Sequence, residues 1–222
     1  MMELKEAIKG RRSIRKFKAD EIPRKLMEEI LEEARWSPSW GNTQPWEFYV
    51  VTGQPLAELK RLNNEKALGG GLPAPDVPMP EKWPEAMKGR YGELGRLVLD
   101  TLGIPREDKE ARNRYYLGMT GLFDAPSLLV ACIPRDLQVE YAMLDIGLIV
   151  QTVCLLAHDR GLGSCIMAAA VLYPDLLRNI AGIPDDRRVV VGVALGYPDD
   201  SYPLNHFERP RAKTETFTHW VD

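Results

Sequence analysis

The sequence predicts an α+β fold, in which helices are mixed with a few separated strands. Three segments, at residues 47–52, 127–133 and 188–196, have the length and the β-branched or aromatic content of strands. Segments of helical length lie between and around them. Because strands and helices do not alternate regularly, a βαβ array is not predicted and the α+β class is favoured.

The helices are predicted from apolar periodicity and from the residues that begin or end them. A helix over residues 23–35 carries one apolar stripe, and Pro23 suits its first turn. Gly10 ends a short helix at residues 2–9, and Gly161 closes a long one at residues 139–160. Further helices are predicted at residues 54–63, 91–102, 106–122 and 174–181, and the tail at residues 197–222 is expected to be mostly irregular.

The composition indicates one domain over residues 1–222 with a proline-rich excursion at about 65–105. Hydrophobic residues make up 45% of the 222 positions, which is enough for a core. Residues 69–71 are three glycines, and five prolines follow by residue 84, so regular structure is not expected to persist there. The net charge of −3 argues against general binding to nucleic acid or to an anionic membrane.

The apolar stretch at residues 141–157 raises the question of a membrane span. It contains polar residues and is a little short, so a buried central helix is the simpler interpretation. The three cysteines lie in apolar surroundings without paired spacing, which favours buried thiols in a reducing, cytoplasmic compartment. The three histidines are not spaced from the cysteines as the ligands of one metal ion would be, and no metal site is predicted.

Residues 11–15 place three arginines and a serine within five positions. Guanidinium groups match phosphate geometry and keep their charge at any working pH. The loop at residues 37–46 adds Ser, Asn and Gln side chains, which can bond a heterocycle edge or a polyol. One phosphate-binding element and one polar element, joined by a helix, indicate a nucleotide-like cofactor. The alternative for such a basic cluster is a solvated face.

These motifs resemble those of the nitroreductase family of flavin enzymes. The resemblance covers Arg-x-Ser-x-Arg at residues 11–15, Pro-Ser-x-x-Asn-x-Gln-Pro-Trp at residues 38–46 and several later features, so it spans most of the chain. It implies a small, mainly antiparallel sheet flanked by helices, in an intertwined homodimer with FMN at the interface. It also implies NADH or NADPH as the reductant and a small aromatic electron acceptor.

The resemblance implies three groups of cofactor-binding residues. One group binds the phosphate, the second is a loop that partly serves the partner's flavin, and the third offers backbone N–H groups to flavin N5 and O4. The phosphate-binding group consists of Arg11, Arg12, Ser13, Arg15, Arg209 and Arg211. The loop group consists of Pro38, Ser39, Trp40, Asn42 and Gln44, and the backbone donors are those of Ala168 and Ala169. The alternatives are an exposed tail for Arg209 and Arg211, a turn with an aromatic anchor for the loop, and a tight helix-to-helix connection for residues 161–170.

The substrate is expected to contact Trp40, Trp83 and Phe123. Within the excursion, Trp83 would supply an aromatic face for a flat acceptor, and the glycines before it would allow a hinge-like movement. Members of one branch of the family carry a lysine shortly before the Asp124-Ala125 pair, where this chain has none. Arg112 or Arg114 is the expected substitute at the N1–O2 edge of the flavin.

The implied reaction is a ping-pong, two-electron transfer from NAD(P)H through FMN to nitroaromatics or quinones. The flavin N5 carries the chemistry, so no catalytic side chain is required. The proline-rich excursion resembles that of the branch that reduces nitrobenzoates and related nitroarenes. The alternatives are a dehalogenase or deiodinase of the same fold, the flavin-fragmenting enzyme that makes dimethylbenzimidazole, and a flavin store or redox-sensing module without turnover.

Overall fold

The computed structural model describes residues 2–221 and contains, within them, seven α-helices and one four-stranded sheet. The strands are β1 Glu47–Thr52, β2 Ser127–Pro134, β3 Gly163–Met167 and β4 Arg187–Gly196. The helices are α1 Leu4–Gly10, α2 Arg24–Ala34, α3 Gly53–Leu68, α4 Glu85–Thr101, α5 Lys109–Thr120, α6 Val139–Asp159 and α7 Pro174–Ala181. The sheet order is β1-β2-β4-β3 and all three pairings are antiparallel. The predicted α+β class with an antiparallel sheet is therefore confirmed.

Strand β2 lies at the centre of the sheet and is buried on both faces. Leu128, Val130 and Cys132 point into one apolar cluster. The alternate residues Leu129, Ala131 and Ile133 point into the other cluster, on the opposite face. A strand covered on both sides needs no polar alternation, which explains why residues 127–133 form an unbroken apolar run.

Helix α6 packs one face against the sheet and leaves another face exposed. Ile146, Ile149 and Val153 are at most 3% exposed and belong to the second cluster. On the other face, Tyr141 and Leu144 are 55% and 58% exposed. Within residues 2–221, α6 is the one helix long and apolar enough to cross a membrane by length and composition alone. The buried face of α6 agrees with the prediction that residues 141–157 form a buried central helix.

Several predicted elements differ from the structure. Residues 163–167 form the edge strand β3 rather than a loop, because small residues there carry little strand signal. The irregular part of the proline-rich segment is shorter than expected, since α3 continues to Leu68 and α4 already begins at Glu85. Residues 85–90 of α4 were missed, because Pro84 directly precedes them and Gly89, which costs about 1 kcal/mol relative to alanine, lies among them. Pro23 precedes α2 as its N-cap and is not in its first turn.

Candidate cofactor and substrate site

The basic segment at residues 11–15 is extended and lies against the edge strand β3. Ser13 forms a parallel bridge with Ser164, and the Ile14 N–H donates to the Ser164 carbonyl at 2.9 Å. The Ile14 side chain is 5% exposed and anchors the segment. Gly163 permits this approach, because a Cβ there would lie 2.6 Å from Ile14 Cγ1.

Asn205 joins the C-terminal tail to this segment. It is 2% exposed, and its Oδ1 accepts from the Arg15 N–H at 2.7 Å. Its Nδ2 donates to the carbonyls of Lys16 at 2.8 Å and Asp199 at 2.9 Å. The Asn205 carbonyl accepts from Arg12 Nη1 at 3.3 Å. Asn205 is not predicted from the sequence, because a single asparagine in a polar tail carries no recognisable signal.

Arginines from both ends of the chain gather at this point. The Arg209 guanidinium donates to the carbonyls of Arg11 and, at 2.6 Å, Lys9. Burial lowers the pKa of Arg209, and the charges of Arg12, Arg211 and Arg11 lower it further. Within residues 2–221, no carboxylate lies within salt-bridge distance of these four arginines. Converging cations without acidic partners fit a bound phosphate, as a phosphate-bearing cofactor would supply.

His158 lies beside the same arginines, at the C-terminal end of α6. It lines a small cavity with Arg11, Arg12 and Asn205. Burial lowers its pKa, and the charges of Arg11, Arg12 and Arg209 act in the same direction. Although the charge of Asp159 raises the pKa, the net lowering favours the uncharged imidazole at neutral pH.

The loop at residues 38–44 lies near the beginning of α6. The Trp40 N–H donates to Asp145 Oδ1 at 3.0 Å, and the Trp40 ring stacks on Tyr141 with 4.9 Å between centroids. The Gln44 N–H donates to Ser39 Oγ at 2.9 Å, while Pro38 is exposed. Asn42 and Gln44 have φ of 57° and 48°, a left-handed conformation that is strained for such residues and is often found at functional sites.

The loop and the arginines lie at opposite ends of α6. Asp145 holds the loop and His158 lies beside the arginines, 13 positions along the helix (158 − 145). At 1.5 Å per residue this separation is about 20 Å. A single chain therefore does not bring the two predicted cofactor-binding groups together.

A cleft of about 900 Å³ opens between α4 and α5, with Arg15 at its inner wall. Tyr91 from α4 and Tyr116 from α5 supply aromatic faces. Tyr115 also lines the cleft, and burial raises its pKa although the neighbouring Arg15 charge lowers it. The volume is suited to a small flat molecule together with part of a larger ligand.

Ala168 and Ala169 begin a 3₁₀ turn, Ala168–Val171, directly after β3. The first N–H groups of a helical turn have no acceptor within the turn and are available to a ligand. This turn contacts α5, the helix that forms one wall of the cleft. Hydrogen bonding from these two backbone groups to a cofactor stays a prediction.

The three expected substrate-contacting aromatic residues lie in different places. Trp83 is 43% exposed and stacks at 6.3 Å on Tyr91, which lines the cleft. Trp40 is 66% exposed at the distant loop. Phe123 has a φ of 52°, is 6% exposed and packs on Tyr115, and its contact with a substrate stays a prediction.

The two arginines proposed for the missing lysine differ in position. Arg112 lines the cleft and its Nη1 donates to the Arg106 carbonyl at 3.0 Å. Arg114 is 64% exposed and pairs with Glu110 at 3.0 Å on the outer surface of α5. Of the two, Arg112 alone lines the cleft.

The beginning of the proline-rich segment is held by hydrogen bonds, and the expected glycine hinge stays a prediction. The Gly71 N–H donates to the Lys66 carbonyl at 2.8 Å and closes the end of α3. The Ala74 N–H donates to the Leu172 carbonyl at 3.0 Å. Asp76 then pairs with Arg178 at 2.6 Å and accepts from the Val189 N–H at 2.8 Å.

Comparison with known proteins gives the same family as the sequence motifs. Residues 8–197 match the Nitroreductase family, and the chain belongs to that family. It is 32% identical to a 4-nitrobenzoate reductase of Pseudomonas putida, over 96% of this chain and 93% of that protein. It is 33% identical to a nitrobenzene nitroreductase of Ectopseudomonas oleovorans, over 97% and 96%.

A solved structure confirms the fold. The FMN-dependent nitroreductase NfnB of Mycobacterium smegmatis, crystallised with NADPH, superposes with a TM-score of 0.92 at 28% identity, covering 98% of this chain and 97% of that one. The predicted family and its α+β fold are therefore confirmed.

Proposed function

We propose that the protein is an FMN-dependent oxidoreductase that transfers two electrons from NADH or NADPH to nitroaromatic or quinone acceptors. The observation that carries this proposal is the convergence of Arg11, Arg12, Arg209 and Arg211, which have no acidic partner among residues 2–221. Arg15, in the same basic segment, lines the cleft of about 900 Å³. The similar nitroreductases that depend on FMN or were crystallised with NADPH support the same assignment.

When bound, FMN supplies the redox chemistry, taking hydride from NAD(P)H and passing two electrons to the acceptor. For a nitro group the balance is Ar–NO₂ + NAD(P)H + H⁺ → Ar–NO + NAD(P)⁺ + H₂O. The arginines of both chain ends would hold the cofactor phosphate. The α4–α5 cleft would hold the acceptor, with Tyr91 and Tyr116 facing its flat ring.

The working unit is proposed to be a homodimer in which each loop at residues 38–44 completes the partner's site. The separation of about 20 Å along α6 between the loop and the arginines supports this arrangement. The exposed face of α6 and the tail, where Trp220 is 87% exposed, offer apolar surface to a second copy. A cytoplasmic location is also proposed, and the three free, buried cysteines are consistent with it.

Purification tests the proposal directly. The protein should be yellow, and mass spectrometry of the released chromophore should identify FMN. Anaerobic NADH or NADPH should bleach it within the time of a turnover, and a nitroarene should restore the colour. Released FAD, or a protein that never binds flavin, would refute the assignment. Slow bleaching without acceptor turnover would instead support the flavin store.

A further inference from the structure

Arg15 differs from the other arginines of the basic segment in the part of the molecule that it lines. Among residues 11–15, Arg15 alone lines the α4–α5 cleft. Arg11 and Arg12 line instead the small cavity beside His158. Arg15 therefore lies where the basic segment and the cleft meet, so the orientation of its guanidinium matters for a ligand that enters from the cleft.

The polar contacts of Arg15 fix its main chain better than its side chain. The Arg15 N–H donates to Asn205 Oδ1 at 2.7 Å. The guanidinium Nη1 donates to the Ser13 carbonyl at 3.3 Å, which is longer than the usual range. Within residues 2–221, no carboxylate lies within salt-bridge distance of this guanidinium. Because an arginine side chain has several rotatable bonds, a fixed main chain does not by itself fix the charged group.

The ring of Phe207, in the C-terminal tail, restrains the Arg15 guanidinium. The guanidinium carbon lies over this ring, 5.6 Å from its centroid, which is within the range of cation–aromatic attraction. The tail is fixed at this point, since Asn205 is 2% exposed and its carbonyl accepts from Arg12 Nη1 at 3.3 Å. A guanidinium that packs on an aromatic face keeps the N–H groups at its edge available to a ligand.

We propose that Phe207 is a positioning residue, which holds the Arg15 guanidinium in place through its aromatic face and thereby strengthens cofactor binding. This inference rests on the proposed flavin-dependent function and adds to it a residue of the tail. An arginine that is already oriented loses less conformational freedom when it binds a ligand, so the affinity for the cofactor is higher.

The test measures the Kd of FMN for wild type, Phe207→Leu and Phe207→Tyr, by dilution of the flavin-loaded protein and flavin fluorescence. Leucine keeps an apolar side chain but removes the aromatic face, so the Kd should rise about 3- to 30-fold. Tyrosine keeps the face, and its Kd should stay within about twofold of wild type. Lys66→Met is the control, because it removes another cation–aromatic contact, 4.8 Å from Lys66 Nζ to the Tyr173 ring, outside the proposed site. It should leave the Kd unchanged.

A double-mutant cycle with Arg15→Gln separates this positioning role from a purely structural one. If Phe207 acts through Arg15, Phe207→Leu should have no further effect on the Kd once Arg15 is replaced. A direct contact between Phe207 and the flavin, or a general loosening of the tail, would give the same loss in both backgrounds and would overturn the inference. Equal losses in Phe207→Leu and Phe207→Tyr, or an unchanged Kd in both, would overturn it as well.

Failure of the proposed function would give a different result. A wild type that binds no flavin would refute that function, and the contact would then be measured from the denaturant unfolding of the four proteins in the cycle. Free energies of unfolding that are not additive would support the positioning of Arg15 by Phe207. Additive free energies would overturn it.

Discussion

At the scale of single residues, the Asn205 side chain joins the C-terminal tail to the basic segment near the N-terminus by hydrogen bonds. Its side chain accepts a hydrogen bond from the Arg15 N–H and donates to two backbone carbonyls. Its backbone carbonyl accepts a hydrogen bond from the Arg12 guanidinium. Asn205 therefore positions the main chain of Arg15 and the side chain of Arg12, two of the arginines expected to hold the cofactor phosphate.

Asn205→Ala should lower both stability and flavin affinity. The substitution removes three hydrogen bonds from a site that is 2% exposed and leaves the Arg15 N–H without its acceptor, at a cost of about 1–3 kcal/mol. Thermal unfolding and flavin titration would measure the two effects. Asn179→Ala, at an exposed position on α7, is the control and should change neither. Unchanged flavin affinity in a destabilised Asn205→Ala would limit Asn205 to a role in folding.

The arginines were predicted from the sequence, but Asn205, which holds two of them by hydrogen bonds, was not. Several arginines close together are easily recognised in a chain of net negative charge, and their pattern specifically resembles that of known flavin enzymes. A single asparagine in a polar tail differs from its neighbours in neither charge nor pattern. The burial of Phe123 was not predicted, because it accompanies three consecutive left-handed residues, Leu122, Phe123 and Asp124, and positive φ at non-glycine residues cannot be predicted from composition.

At the scale of elements, the Asp76–Arg178 pair fixes the proline-rich segment to the body of the protein. The two side chains are 9% and 11% exposed. Burial raises the pKa of Asp76, but hydrogen bonds from Arg178 and the Val189 N–H outweigh burial and hold the pKa below its ordinary value of 3.8. A carboxyl whose folded pKa is depressed stabilises the fold above its unfolded pKa, and this contribution is lost as the pH falls through the folded value.

Asp76→Asn should therefore destabilise the protein in a pH-dependent manner. Breaking a buried ion pair costs about 3–5 kcal/mol of stability. A loss of about 3 kcal/mol is expected here. The reason is that Arg178 keeps a second carboxylate partner, because Asp185 lies 3.6 Å from Arg178 Nε. The difference in Tm between wild type and variant should be constant near neutral pH and should narrow below about pH 4. Hydrogen exchange should also increase at residues 71–84. A difference in Tm that is the same at pH 3 and pH 7 would contradict this account.

The elements most reliably predicted were those with strong internal patterns. The apolar run of β2 and the long α6 were located to within a residue or two. Strand β3 was missed because it is short, lies at an edge and consists largely of small residues. Its identity as a strand depends on pairing with β4, which is a long-range interaction that local patterns do not contain.

At the scale of the whole molecule, the exposed face of α6 gives the proposed dimer a testable surface. Leu144 is 58% exposed, so in an isolated chain a charge there would cost little. Leu144→Asp should nevertheless shift the protein from dimer to monomer in sedimentation and reduce flavin occupancy. Leu68→Asp, at a position 70% exposed at the end of α3, should remain a flavin-bound dimer. A wild type that is monomeric and yellow would refute the shared site.

The placement of the loop and the arginines at opposite ends of α6 also has a genetic consequence. In a two-fold symmetric dimer, each proposed site takes its arginines from one chain and its loop from the other. A chain with defective arginines and a chain with a defective loop would each be inactive alone. Co-expressed, they form a mixed dimer in which one site combines both defects and the other combines neither. Random pairing would then restore about a quarter of the sites. Two inactive alleles would complement each other, whereas sites contained within single chains would give no restoration at all.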